Sequence, residues 1–121
     1  MIVTGSARGI GRAIAEEMGR GGAKVVVNYS KSKGPAEDLV AQLRETGSLQ
    51  AVAIQADVSD AAQAARLIEE TCSQFGRIDV LVNNAGIPST GLSCASIVFL
   101  GAASLVVLTT LLVLPCPCVL L

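Results

Sequence analysis

Along the first eighty residues, apolar and polar positions switch repeatedly between two periods. "MIVTG" (1–5) is a short apolar run that reads as a strand, and Ile10, Ala13, Ile14 and Met18 then recur at helical spacing until the Gly21-Gly22 pair stops them. "AKVVVN" (23–28) is a nearly continuous β-branched run, the pattern of a strand buried on both faces. A second helix opens at Gly34-Pro35, carries Leu39, Val40 and Leu43 on its apolar side, and closes at Gly47. "LQAVAIQ" (49–55) predicts a third strand. The third helix has Ser59 or Asp60 as N-cap and a stripe of Ala61, Ala64, Ala65, Ile68, Cys72 and Phe75. "IDVLV" (78–82) predicts the fourth strand and "NNAG" (83–86) the turn after it.

Strands alternating with helices predict an α/β fold, a Rossmann-type doubly wound parallel sheet joined by right-handed crossovers. It spans residues 1–87 and is truncated after the fourth strand. Residues 88–121 follow a different pattern. The run 92–114 has 23 residues without a charge, long enough for an apolar C-terminal helix to cross a bilayer core. Two fates stay open for it: burial in a membrane or partner, or packing as an extra helix and strand on the free edge of strand four. A helix apolar all round has no side to show water, which favours the first. No Lys or Arg flanks the run to orient it.

Composition sharpens the division. All nineteen charged residues fall between Arg8 and Asp79. A net charge of -1 without basic clusters argues against a nucleic-acid partner. The absence of histidine removes His-ligated metal sites and a His general base. The four cysteines lack paired CxxC spacing and no secretory signal opens the chain, so the expected location is a reducing one, cytoplasmic, with membrane association through the tail as the alternative. Cys118-Val119-Leu120-Leu121 matches a CaaX box, read as an accident of a Leu-rich tail.

Between the first strand and first helix stands "TGSARGIG". Glycine there lets backbone approach a pyrophosphate, and the helix N-terminus behind it offers free N–H groups and a positive dipole end. Thr4, Gly5, Gly9 and Gly11 match the TGxxxGxG fingerprint, and Asn83, Asn84, Ala85 and Gly86 match the second motif, of the short-chain dehydrogenase/reductase family. The chain resembles that family over about residues 1–87, most nearly its NADPH-dependent carbonyl reductases, such as 3-oxoacyl-carrier-protein and aldehyde reductases.

The resemblance implies a dinucleotide site. Gly5, Gly9 and Gly11 would receive the pyrophosphate, with Ser6 and Ile10 of the same loop also in the coenzyme site, Asp57 and Val58 the adenine, and Asn84, Ala85 and Gly86 the ribose side. Local readings stand beside these: Asp57 as a cap for the third helix, "NNAG" as a plain turn. Asn28 ends the second strand, close to where an acid would hold the ribose hydroxyls of NAD. A neutral Asn does not repel a 2′-phosphate, and Arg8, Ser30 and Lys31 supply charge and donors, so the expected coenzyme is NADP(H).

Tyr29 and Lys33 have the four-residue spacing of a proton-donating Tyr-Lys pair. They fall beside the adenosine end of the coenzyme, and Gly34-Pro35 interrupts the helix that would put both on one face. Tyr29 therefore enters as a neighbour of the adenosine, not as an acid. The family's chemistry uses a Ser, a Tyr and a Lys beyond "NNAG", and no Tyr or Lys occurs after Lys33. No catalytic residue is assigned. The implied reaction, NADPH-dependent reduction of a ketone or aldehyde, then needs a Tyr-Lys pair from elsewhere, such as a partner subunit. The alternatives are a catalytically inactive nucleotide-binding or membrane-tethered module, or a truncated gene product with strand four as an unprotected edge. Oligomeric state is left open.

Overall fold

The computed structural model describes residues 1–48, 50–86, 96–101 and 104–108. Four parallel-sheet strands alternate with three helices: β1 (Ile2–Val3), α1 (Gly9–Arg20), β2 (Val25–Tyr29), α2 (Lys33–Glu45), β3 (Ala51–Gln55), α3 (Ala61–Phe75) and β4 (Val80–Asn83). β5 (Ser96–Gly101) and β6 (Ser104–Leu108) follow. The sheet runs β3-β2-β1-β4-β5-β6. β1 pairs in parallel with both β2 and β4, so the chain reverses its direction of travel across the sheet between them.

Alternation along the strands splits the core in two. Val3, Val25 and Val27 face a layer completed by Ala15 of α1 and Ala36, Leu39, Val40 and Leu43 of α2. Ile2, Val26 and Ile54 face the other layer, closed by Leu67 of α3. Both faces of β1 and β2 are thus buried, the reason their sequences are unbroken apolar runs.

Two helices follow their hydrophobic spacing only in part: Ile14 of α1 and Phe75 of α3 pack against the core, but other members of each stripe do not. In α1 the buried positions are Gly11, Ala15 and Gly19, while Ile10 and Met18 are 69% and 44% exposed. Close approach decides this: a Cβ on Gly19 would stand 2.4 Å from Leu43 Cδ2, so only the small-residue face fits against α2. In α3 the buried residues are Leu67 and Thr71, and Ile68 and Cys72 of the expected stripe are exposed. Thr71 tolerates burial because its hydroxyl donates to the Leu67 carbonyl at 2.7 Å.

The tail corrects a larger expectation. Within 92–114 the described residues form two strands, not one apolar helix, and the sheet does not stop at its fourth strand. β5 pairs antiparallel with β4, from Val80↔Phe99 to Asn83↔Ser96, and β6 pairs antiparallel with β5. The physical reason lies in both partners. "SIVFLG" and "SLVVL" are rich in β-branched residues with Gly101 at the end of the first, and the β4 edge offers unpaired backbone groups that a strand satisfies. The edge of β4 is therefore not unprotected. Among the described residues no helix is long and apolar enough to cross a membrane, so the transmembrane helix has no support. Residues 92–95, 102–103 and 109–114 of that run, and the CaaX match at 118–121, lie outside the described residues.

Candidate functional site

The C-terminal tips of β1, β2, β3 and β4 surround one cavity of about 550 Å³. It sits at the ends of β1 and β4, where the strand order reverses, the place at which open α/β sheets bind ligands. Its walls combine the β1 loop (Gly5), the β2 tip (Asn28, Ser30, Lys31), the β3 tip (Ala56 to Ser59) and the β4 loop (Asn84 to Gly86).

Loop-to-loop hydrogen bonds hold the β1 and β4 tips together. The buried Thr4 hydroxyl donates to the Val82 carbonyl at 3.2 Å and accepts from the N–H groups of Asn84 and Ala85 at 2.9 and 3.0 Å. The Asn84 amide donates to the carbonyls of Thr4 and Gly5 at 3.0 and 3.3 Å. This packing explains two of the motif glycines. A Cβ on Gly11 would lie 2.4 Å from Asn84 Nδ2, and one on Gly5 would lie 3.0 Å from the Ala85 Cα. At Gly9 nothing stands within 4 Å of the would-be Cβ, so its φ of +61° alone demands glycine, whereas Gly5, at φ +63°, has both reasons.

Nine of the sequence-predicted residues line the cavity: Gly5, Asn28, Ser30, Lys31, Asp57, Val58, Asn84, Ala85 and Gly86. Arg8 does not line it, but its Nη2 donates to the Ser32 hydroxyl, which brings the guanidinium to the loop carrying Ser30 and Lys31. Arg8 is also the N-cap of α1, and no side chain caps that helix, so the first-turn N–H groups of Gly9, Ile10 and Gly11 carry no side-chain acceptor. The Ser6 hydroxyl turns inward and donates to the Val3 carbonyl at 2.7 Å. Tyr29 packs against the layer under α1 and α2. It ends a strand whereas Lys33 begins a helix and pairs with Glu37 at 3.6 Å, so the two do not form an acid pair.

Asp57 does local work as well as facing the cavity. Its Oδ1 accepts from the Ser59 hydroxyl at 2.6 Å and the Ser59 N–H at 3.0 Å. The Ser59 hydroxyl, then its N–H, hold the Asp57 carboxyl below the usual range, with help from the Lys31 charge. Asp60, not Asp57, caps α3, accepting from the Ala62 N–H at 2.9 Å. The sequence reading missed Ala56 and Ser59 on the wall. The Asp-x-Ser spacing of 57–59, an Asx-turn signature, was the available signal.

The short chain dehydrogenase family model matches residues 1–97. This chain belongs to that family. A short-chain dehydrogenase/reductase of Pestalotiopsis microspora is 52% identical over 90 residues, 74% of this chain and 34% of the relative. Versicolorin reductase 1 of Aspergillus parasiticus is 51% identical over the same length and shares. Among solved structures, a short chain dehydrogenase from Burkholderia cenocepacia J2315 in complex with NADP is 42% identical, with a TM-score of 0.70 over 74% of this chain and 36% of that one. The chain thus spans about a third of the length of these family relatives, and the matched part contains both glycine-bearing loops.

Proposed function

We propose that residues 1–87 are the NADP(H)-binding part of a short-chain dehydrogenase. The observation that carries this reading is the contact of Arg8 with Ser32: it sets a guanidinium beside a loop whose Ser30 and Lys31 line the cavity. Cations with neutral donors at the β2 tip suit a 2′-phosphate better than a bare ribose. The residues fit the coenzyme in other respects. The uncapped first turn of α1 and the glycine at 9 leave backbone donors open to a pyrophosphate, and the ionised Asp57 offers an acceptor to the adenine amine. Asn84, Ala85 and Gly86 would meet the ribose next to the nicotinamide.

Bound NADPH supplies a hydride, and the residues of this chain hold and orient it. For the whole protein we propose the family reaction, reduction of a ketone or aldehyde. A second reading, a coenzyme-binding module without turnover, applies to these 121 residues taken by themselves, in which no Tyr or Lys follows Lys33.

Fluorescence titration with NADPH and NADH tests the first reading. Arg8→Ala should weaken NADPH by about tenfold or more, the loss of one charge-assisted hydrogen bond at ~1.4 kcal/mol, and leave NADH nearly unchanged. Equal losses would remove the 2′-phosphate assignment, and a folded chain that ignores both coenzymes at millimolar levels would remove the site. An added diketone separates the two readings: binding without turnover supports the module, turnover the reductase.

A further inference from the structure

Asn28 is the polar side chain at the end of β2, where coenzyme preference would be expected to be read. Its own bonds assign it different work. It is 1% exposed, and its amide reaches three segments at once. Oδ1 accepts the Gly5 N–H at 3.1 Å, and Nδ2 donates to the carbonyls of Ile54 and Ala56 at 3.3 and 3.1 Å. One acceptor and both donors are therefore committed to protein. The group ties the turn after β1, the tip of β2 and the tip of β3, the three segments that form one side of the cavity. Among the described residues no buried side-chain polar atom is left without a partner, and this amide is among those satisfied.

Resting on the NADP(H) reading above, we infer that Asn28 is a positioning residue that fixes the Gly5 amide and the strand tips, and that it does not read coenzyme preference, which falls to the groups around the 2′-phosphate, Ser30 and Lys31 together with Arg8. Ser30 and Lys31 are exposed on the cavity wall, with side chains outside the tie.

The chemistry of the amide makes the two roles separable. A carboxylate at position 28 could still accept the Gly5 N–H, but its second oxygen would face the Ile54 and Ala56 carbonyls with no proton to share. A buried charge opposed by two carbonyl oxygens is relieved if the strand tips move apart or if the acid takes up a proton, and that single proton serves only one of the two carbonyls. Asn28→Asp therefore disturbs the phosphate turn for either coenzyme. Ser30→Asp places a charge on the open wall, against a 2′-phosphate alone.

The test measures NADPH and NADH dissociation constants for the wild-type chain, Asn28→Asp and Ser30→Asp, at temperatures where unfolding curves show each variant folded. Expected is a weakening of both coenzymes by the same factor in Asn28→Asp, with their ratio within about twofold of wild type, and a ratio shifted toward NADH by about tenfold or more in Ser30→Asp. A preference shifted toward NADH by Asn28→Asp, or left unchanged by Ser30→Asp, overturns the assignment. Amide hydrogen exchange of Gly5 in the wild-type chain decides the point even if Asn28→Asp does not fold. Protection present without coenzyme is expected; protection absent, or appearing only when coenzyme binds, overturns the tie. A wild-type chain that binds neither coenzyme would sink the NADP(H) reading, whereas Gly5 protection would still report the tie.

Discussion

The hydroxyl of Thr4 accepts the backbone N–H of Ala85 at 3.0 Å across 81 positions of sequence. The same oxygen takes the Asn84 N–H and gives its proton to Val82, so one side chain joins the loops that follow β1 and β4. Thr4→Val preserves shape and strips two half-buried donors of their acceptor. A loss of about 1–3 kcal/mol in urea unfolding is expected, with weaker NADPH binding, while Thr4→Ser should retain most of both. A stability change within error for Thr4→Val would show that the loops are held by something else.

Gly9→Ala and Gly11→Ala should fail for different reasons. At Gly9 the cost is backbone strain at positive φ, about 1–2 kcal/mol, with room for the methyl. At Gly11 the methyl meets the Asn84 amide, and Asn84 must leave the Thr4 and Gly5 carbonyls. Overpacking of this kind costs about 1–3 kcal/mol. Asn84→Ala should therefore recover part of the Gly11→Ala loss and none of the Gly9→Ala loss. Double-mutant cycles by thermal unfolding read the difference, and equal recovery at both sites would contradict it.

The Asp57 carboxyl titrates below its ordinary value of 3.8 because Ser59 donates to its charged form. A carboxyl whose folded pKa is depressed adds stability above its unfolded pKa and loses it as pH falls through the folded one. Ser59→Ala should raise the Asp57 pKa toward the ordinary value, seen in a carboxyl NMR titration. It should also flatten the wild-type loss of stability in the window just below pH 3.8. Asp60, lowered by Gln63 and the Ala62 N–H, should titrate as before.

β3 is an edge of the sheet, and arginines from both layers cover it. Arg44 of α2 donates twice to the Ala51 carbonyl, at 3.2 and 2.8 Å, and Arg66 of α3 donates to the Gln55 carbonyl at 2.8 Å. Even-numbered β3 residues bond β2, as Gln50 does with Val25, so Ala51, Ala53 and Gln55 turn their backbone groups outward. Replacing both arginines by Ala frees the two guarded carbonyls, and light scattering should show more self-association. Adding Ala53→Pro, which removes the outward N–H between them, should reverse that. Unchanged scattering in the double variant would mean that the guard is idle.

The order of strands and helices up to β4 was legible in the residues, because runs such as "AKVVVN" and the Leu39, Val40, Leu43 stripe carry their period locally. So were the two glycine-bearing loops, since positive φ at Gly9 is a property of one residue. Hydrophobic spacing found only part of the buried faces of α1 and α3, Ile14 and Phe75 among them. Which face a helix buries depends on how closely its neighbours approach, and Leu43 and Asn84 make that choice from distant positions. The tail shows the same limit. Residues 92–114 have the length and polarity of a membrane helix taken alone, yet their β-branched segments pair with the edge of β4, an acceptor that exists only once the sheet has formed.

Asn28 marks the boundary between the two kinds of knowledge. Its place near the end of β2 and its lack of charge are written in the sequence, and they suggested a residue that addresses the coenzyme. The fold turns that amide onto Gly5, Ile54 and Ala56. A buried amide must spend its hydrogen bonds on whatever surrounds it, and only the tertiary structure decides what that is.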